Sequence, residues 1–363
     1  MNLRLGRFGL QESACAVGLG ALISGTFSVN VGDTFARGNV CYAATAASVL
    51  MGLLLLRLLD GAMARFGAED LATLLLDGFG SALGAALAMP LILGLVLSAV
   101  LPLFRFTLAM ERYIFVEADY VPIALYLLPV LLLLVLTGME CVARMAKLLL
   151  IPGAIAMFMT LLLASPAFDR DHLFPLFSPG FAAFWDQSLE ALFRFLAPGL
   201  ALFIVGRGCQ GAEERMDSMR RGLTLGGMGA VCMHLGLGLT FFGPDMVSMS
   251  APVYCMTMAA RQDRMGLRLD VLVLFLWVMT GLVTAAFYIY AATLLFCRVT
   301  GVEDIRPTGA LSVLLVIGLV LLFNFDSDAI LTCVRLVYRR GYLMLLFPMG
   351  VVSARALLKR RRA

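Results

Sequence analysis

Long apolar runs alternate with short polar joints along this chain, and the runs share one length scale. An α-helix needs about 20 apolar residues to cross the hydrocarbon core of a bilayer. The pattern predicts ten such spans, near 12–29, 41–59, 82–104, 121–137, 141–164, 189–206, 222–243, 270–297, 309–324 and 342–358. Between the fourth and fifth only Thr137, Gly138 and Met139 offer a turn. Two joints are longer. Residues 165–188 hold three prolines, charges of both signs and Trp185, which predicts an outer excursion. Residues 244–268 mix Met and other apolar positions with Arg261, Asp263 and Arg264, which predicts a short amphipathic helix on the outer face.

Composition sharpens this picture. Of 363 residues, 61% are apolar and 14% charged, with mean hydropathy +0.94. A soluble domain is roughly 45–50% apolar and about 25% charged. A soluble enzyme, a DNA-binding domain and a disordered tail are all excluded, and the reading is a single polytopic, all-α membrane domain over 1–363. The net charge of +4 is small. Basic residues sit between apolar runs, so they orient the chain rather than bind nucleic acid. The loop 207–221 and the KRRR run at 359–362 carry most of the bias, which predicts cytoplasmic termini at both ends. No small-residue cleavage site follows the first apolar run, so no cleaved leader is expected. Eight cysteines form no CxxC, and the two histidines, His172 and His234, lie far apart, so neither a metal site nor a cofactor is expected.

The chain carries no GxxxxGK[ST], HExxH or GxSxG, and enzymatic activity is not expected. Glu140 and Arg144 are spaced i, i+4 and predict a structural ion pair at the start of the fifth span, with Lys147 almost one turn further in. No Asp or Glu falls at the centre of a predicted span. Helix-weakening residues are more informative. The first span contains Gly18, Gly20, Ser24, Gly25 and Thr26, and the sixth contains Pro198 and Gly199. Proline removes a backbone donor and glycine lowers the cost of leaving helical geometry. Freed backbone is tolerated at membrane depth only inside protein or beside a cavity. These positions open the two five-span halves, about 8–164 and 186–358, as in inverted-repeat carriers with a site between the halves. Close packing through small residues would give the same pattern.

Several stretches then match a family in order. GMECVARMAKLLLIPGAIAMFMTLLL followed by HLFPLF resembles the G-[IV]-E-x-x-A-R motif and leucine–proline loop of GerAB-type spore germination permeases. APVYCMTMAARQDRMGLRLDVLVLFLWVMTG resembles the family's outer amphipathic segment and eighth helix, through Arg268, Asp270 and Trp277. YIYAATLLFCRVTGVEDIRP resembles the exit of that helix, through Asp304, Arg306 and Pro307, and RFGAEDLATLLLDGFGSALG resembles the loop after the second helix. Two positions depart. No proline lies between Leu10 and Phe35, and LAPGL places Leu200 where the family commonly has an acidic residue.

The resemblance implies a leucine-transporter-like fold of ten helices in two inverted five-helix repeats, within the amino acid–polyamine–organocation superfamily. It implies the B-type subunit of a germinant receptor in the bacterial cytoplasmic membrane or the spore inner membrane, acting with A-type and C-type subunits on a small nutrient such as an amino acid. A secondary transporter of amino acids or related solutes is the alternative. The ligand is then expected at broken helices one and six, with help from three and eight. The implied site residues are Ser24, Gly25, Thr26, Ser98, Pro198, Gly199, Thr284 and Tyr288.

Overall fold

A computed structural model describes residues 8–27, 40–115, 117–174, 180–206, 212–241, 246, 249, 251–259, 269–324, 336–337 and 339–362. The family-motif residue Arg268, the loop charges Arg261, Asp263 and Arg264, and positions 28–29 of the first span lie outside these. The helices are α1 (Leu10–Phe27), α2 (Cys41–Phe66), α3 (Leu71–Phe79), α4 (Ser81–Tyr113), α5 (Tyr120–Thr137), α6 (Met139–Ala164), α7 (Gly180–Val205), α8 (Ala212–Thr240), α9 (Pro252–Met258), α10 (Leu269–Thr300), α11 (Ile305–Phe323) and α12 (Tyr342–Arg362). All ten predicted spans have a helix, and the two short extras, α3 and α9, occupy connections.

The joints follow from local chemistry. Gly138, at φ +98°, separates α5 from α6 with no other linker, a backbone angle that suits glycine. Asp70 caps α3 by accepting from the Thr73 amide at 2.7 Å and its hydroxyl at 2.8 Å. Among the described residues, eight helices are long and apolar enough to cross a membrane. The other two are α1 and the shorter apolar part of α12, Tyr342–Arg355. The composition of α1 makes sense from its place, since every residue from Ala16 to Thr26 is buried. A helix that meets only protein does not need hydrocarbon on every face.

Burial divides the bundle into a centre and a rim. The apolar window of α7 is 94% buried, whereas that of α6 is 22% buried and turns most of its surface outward, as a lipid-facing helix does. Packing between the two halves is reciprocal. Helix α1 runs along α8, and its counterpart α7 runs along α2. Helix α6 touches α1 and α10, and its counterpart α12 touches α7 and α4. Helices α4 and α10, third in each half, form another extensive pair.

Small residues bring α1 and α8 into backbone contact. A Cβ built on Gly226 would lie 2.1 Å from the Gly18 carbonyl oxygen, and one on Gly222 would lie 2.4 Å from that of Ala14. Gly25 continues the row against Ala230, at 2.6 Å, and the Phe195 ring. The small-residue spacing of Gly222 and Gly226 is the kind that lets membrane helices approach closely.

Three expectations need correction. The sixth span begins at Gly180 rather than 189, so Trp185 lies on a helix with Phe181 and Phe184, their rings 5.6–5.9 Å apart. The polar residues 186–188 had suggested a loop, yet Gln187 and Ser188 are buried in the bundle. As a result Glu190 and Arg194 lie well inside α7, buried and 3.6 Å apart, so a central span does contain an acid. Finally, Glu140 and Arg144 do pair, but with 38% and 65% of their side chains exposed they form a surface pair of little structural weight.

Candidate functional site

The sequence places a ligand where α1 and α7 unwind. Within the described residues neither helix does: α1 is continuous through Ser24, Gly25 and Thr26, and α7 through Pro198 and Gly199. Their backbone groups are therefore mostly spent inside the helices. The Arg194 carbonyl is an exception, because Pro198 has no N–H to offer it. Side chains fill the crossing. The Tyr288 hydroxyl, from α10, donates to the Gly20 carbonyl at 3.2 Å and bonds Ser24 Oγ at 2.8 Å. A methyl on Gly20 would lie 2.9 Å from Pro198 Cβ and 3.1 Å from that hydroxyl.

Of the eight implied site residues, Ser24, Tyr288 and Pro198 thus meet around Gly20. Gly25 serves the α1–α8 contact instead. Gly199 faces α2, where a Cβ would lie 2.3 Å from Leu56 Cδ1. Ser98 donates to the Gly94 carbonyl of its own helix at 2.8 Å. Thr26 and Thr284 are each 1% exposed, and the hydroxyl of each has no hydrogen-bond partner. A buried hydroxyl without a partner is costly, so each marks a place where something else can bind.

Thr26 leads to the cavity. Its volume is about 30 Å³, room for water-sized contents, and its wall comes from α1, α4, α9 and α10. Thr26 and Phe27 come from α1, and Arg105, Phe106 and Ala109 from one face of α4. Val273, Leu274 and Trp277 come from α10, and Ala251 through Tyr254 with Thr257 from α9 and its approach. Helical spacing explains why α4 and α10 each present i and i+4 positions to it.

Hydrogen bonds and ring contacts fix the wall. Trp277 Nε1 donates to Thr160 Oγ1 on α6 at 3.1 Å. Tyr254 donates to Asp270 Oδ2 at 2.7 Å and packs its ring 4.9 Å from that of Tyr113. The Tyr113 hydroxyl lies 3.3 Å from Cys255 Sγ, and burial raises the pKa of that thiol despite this contact. Phe27 sits 4.6 Å from Phe106 and 4.9 Å from Trp277, ring to ring. The cavity is mostly apolar, with one cation, Arg105, and no acid among its described lining residues.

Arg105 was missed because the third span was ended at residue 104, at the first charge. The helix instead runs to Tyr113, since Phe106, Thr107, Leu108 and Ala109 are all buried. A lone arginine within an apolar helix was the available signal.

Two further polar groups flank the bundle. His234 on α8 is fully buried, its Nδ1 2.8 Å from Thr45 Oγ1 on α2 and its Nε2 without a hydrogen-bond partner. At the opposite end of α10 from the cavity, Arg298 pairs with the buried Asp70. Nearby, Arg215 reaches Asp60 at 3.1 Å and the Glu69 carbonyl at 2.8 Å. Among the described residues no group of three His, Cys, Asp or Glu is placed to hold a metal ion.

Comparison with solved structures shows what this arrangement shares. A Na+-coupled sialic acid symporter in a substrate-bound outward-open state superposes with a TM-score of 0.70 at 10% identity, over 95% of this chain and 79% of that one. Mhp1, a nucleobase-cation-symport-1 family transporter in a closed conformation, gives 0.68 at 14% identity over 100% and 82%. A manganese transporter of Eremococcus coleocola gives 0.63 at 15% identity over 96% and 78%. At such identities the likeness is one of fold, and the fold is the leucine-transporter-like one of membrane carriers. No curated protein matches the chain. The sequence profile described as "Spore germination protein" matches residues 45–242, from α2 past the end of α8. With more than half its length matched, and with the fold of a membrane permease, the chain belongs to the spore germination protein family.

Proposed function

We propose that this protein is the nutrient-recognising membrane subunit of a germinant receptor, and that the water-sized Thr26–Arg105–Trp277 cavity marks the place that widens to take a small molecule such as an amino acid. The observation that carries this reading is the unpartnered, fully buried hydroxyl of Thr26 facing a cavity walled by three different spans. In this reading A-type and C-type subunits are its partners. The membrane is the bacterial cytoplasmic or spore inner membrane, both termini are cytoplasmic, and the α9 side faces outward. The two repeats, about 8–164 and 186–358, supply α1 and α4 on one side of the cavity and α10 on the other. Thr26 carries over from the implied site. Ser24 and Tyr288 lie behind it as a seal, and Thr284 remains a candidate contact.

A secondary transporter is the second reading, favoured by the buried Glu190 and Arg194 inside α7, since ionisable groups at such depth mark ion and proton paths in carriers. The test is an Ala109→Trp variant, which fills the cavity, expressed in spores that lack the native chain. Nutrient-triggered germination should fall at least roughly tenfold in sensitivity, the scale of one lost hydrogen bond or contact, with the protein still in the membrane. An unchanged dose response would place recognition elsewhere. Concentrative, gradient-driven uptake of the nutrient by reconstituted vesicles would establish the transporter instead.

A further inference from the structure

The outward faces of α2 and α8 end in arginines that the bundle does not use. On α2 the exposed residues Leu50, Leu54, Arg57, Gly61 and Arg65 recur at helical spacing along one face. On α8 the exposed residues Arg221, Leu225 and Met228 do the same, with Arg220 beside them. The two helices pack antiparallel: Gly227 lies against Val49, Gly52 against Leu223, and Arg215 reaches Asp60 at 3.1 Å. That register sets Arg57 within about one turn of Arg220 and Arg221. With 3.6 residues per turn, Arg57 falls on the edge of the exposed α2 face next to α8, and Arg220 on the edge of the exposed α8 face next to α2. Both therefore border the outward groove between the helices.

Depth and charge add to this. At about 1.5 Å per residue, Arg57 lies about 24 Å along α2 from Cys41 and Arg65 about 36 Å. A hydrocarbon core of about 30 Å has its edge, where lipid phosphates begin, between them. The described acids of the two helices leave the group unneutralised. Asp60 is engaged by the buried Arg215, Asp217 lies 3.5 Å from Arg220 at the surface, and only Glu214 remains. Among the described residues Arg57, Arg65 and Arg221 have no ion-pair partner. The surface between Arg57 and Arg65 is open, since a Cβ on Gly61 would meet nothing within 4 Å.

We propose that the groove between α2 and α8 is a binding site for an anionic phospholipid. Arg57 and Arg220 hold its phosphate, and an acyl chain lies along Leu50, Leu54 and Met228. A guanidinium matches a phosphate through paired N–H bonds. Basic groups between spans at headgroup level recruit anionic lipid. The exposed leucines decide for a lipid over an acidic protein surface, because acyl chains cover them at the depth where the charges end. The site is independent of what the bundle recognises.

The full chain is purified in detergent and titrated with dioleoylphosphatidylglycerol or dioleoylphosphatidylcholine, and native mass spectrometry counts the lipids retained. The first phosphatidylglycerol should bind at least about tenfold more tightly than phosphatidylcholine. Arg57→Gln combined with Arg220→Gln should weaken it roughly 30-fold, the scale of two arginines at a membrane surface. Arg144→Gln combined with Lys147→Gln removes the same charge from exposed positions on α6 and should leave it unchanged. Melting temperatures without added lipid establish that both variants are folded. Equal binding of the two lipids overturns the proposal, as does undiminished phosphatidylglycerol binding by the Arg57 and Arg220 variant. An equal loss in the α6 variant also overturns it, since overall charge would then be enough. None of these outcomes bears on the Ala109→Trp test, so the two readings fail separately.

Discussion

The two ends of α10 are built on opposite principles. At one end Arg298 pairs with buried Asp70, which also caps α3, while Arg215 ties Asp60 and the Glu69 carbonyl together. The charges there answer one another, and the short helix α3 is fixed by them. At the other end Trp277 and Leu274 face a cavity, Thr26 lacks a partner, and the short helix α9 is held by Tyr254 on Asp270. Both ends are closed by a short helix; among the described residues the α3 end carries the buried ion pairs and the α9 end the cavity. Opening the ion-paired end means separating buried opposite charges.

The largest expected effect tests the locked end. Asp70→Ala removes both the partner of Arg298 and the cap of α3. Leaving a buried charge alone costs about 3–5 kcal/mol, so protein levels in the membrane and the melting temperature should both drop sharply. A near-normal melting temperature would show that the two ends do not differ in this way. Next comes the seal between them. Tyr288→Phe deletes the bonds to Gly20 and Ser24, at about 1–2 kcal/mol. A modest fall in thermal stability is expected, and a loss as large as that of Asp70→Ala would make the crossing, not the ion-paired end, the stronger lock. The smallest effect belongs to Glu140→Ala. Its pair with Arg144 is largely exposed, so stability should change by less than about 0.5 kcal/mol. A larger change would mean that burial is not what separates the strong charges from the weak ones.

The glycines show why part of the site was not legible. The same residue that eases unwinding also permits close approach, and nothing in α1 alone separates the two. Only the position of α8 decides it: Gly18 and Gly25 are filled by Gly222, Gly226 and Ala230. A bulky side chain at Gly25 would therefore break packing before it touched any ligand. The breaks in α1 and α7 were read from local chemistry that the neighbours overrule within the described residues.

The sequence alone determined where the apolar helices lie along the chain and the turn at Gly138, because each depends on local composition and on a bilayer of fixed thickness. The helical character of α9 and the involvement of Thr26, Ser24 and Tyr288 in the interior were also within its reach. Tertiary structure decided which polar groups meet. Ser24 and Tyr288 are 264 residues apart, and Asp70 and Arg298 are 228 apart. No periodicity encodes such pairs, since a buried hydroxyl reads the same whether it bonds its own helix, as Ser98 does, or a distant one. Arg105 became part of a cavity only when α1, α9 and α10 closed around it, because enclosure is a property of several helices at once and not of the helix that carries the charge.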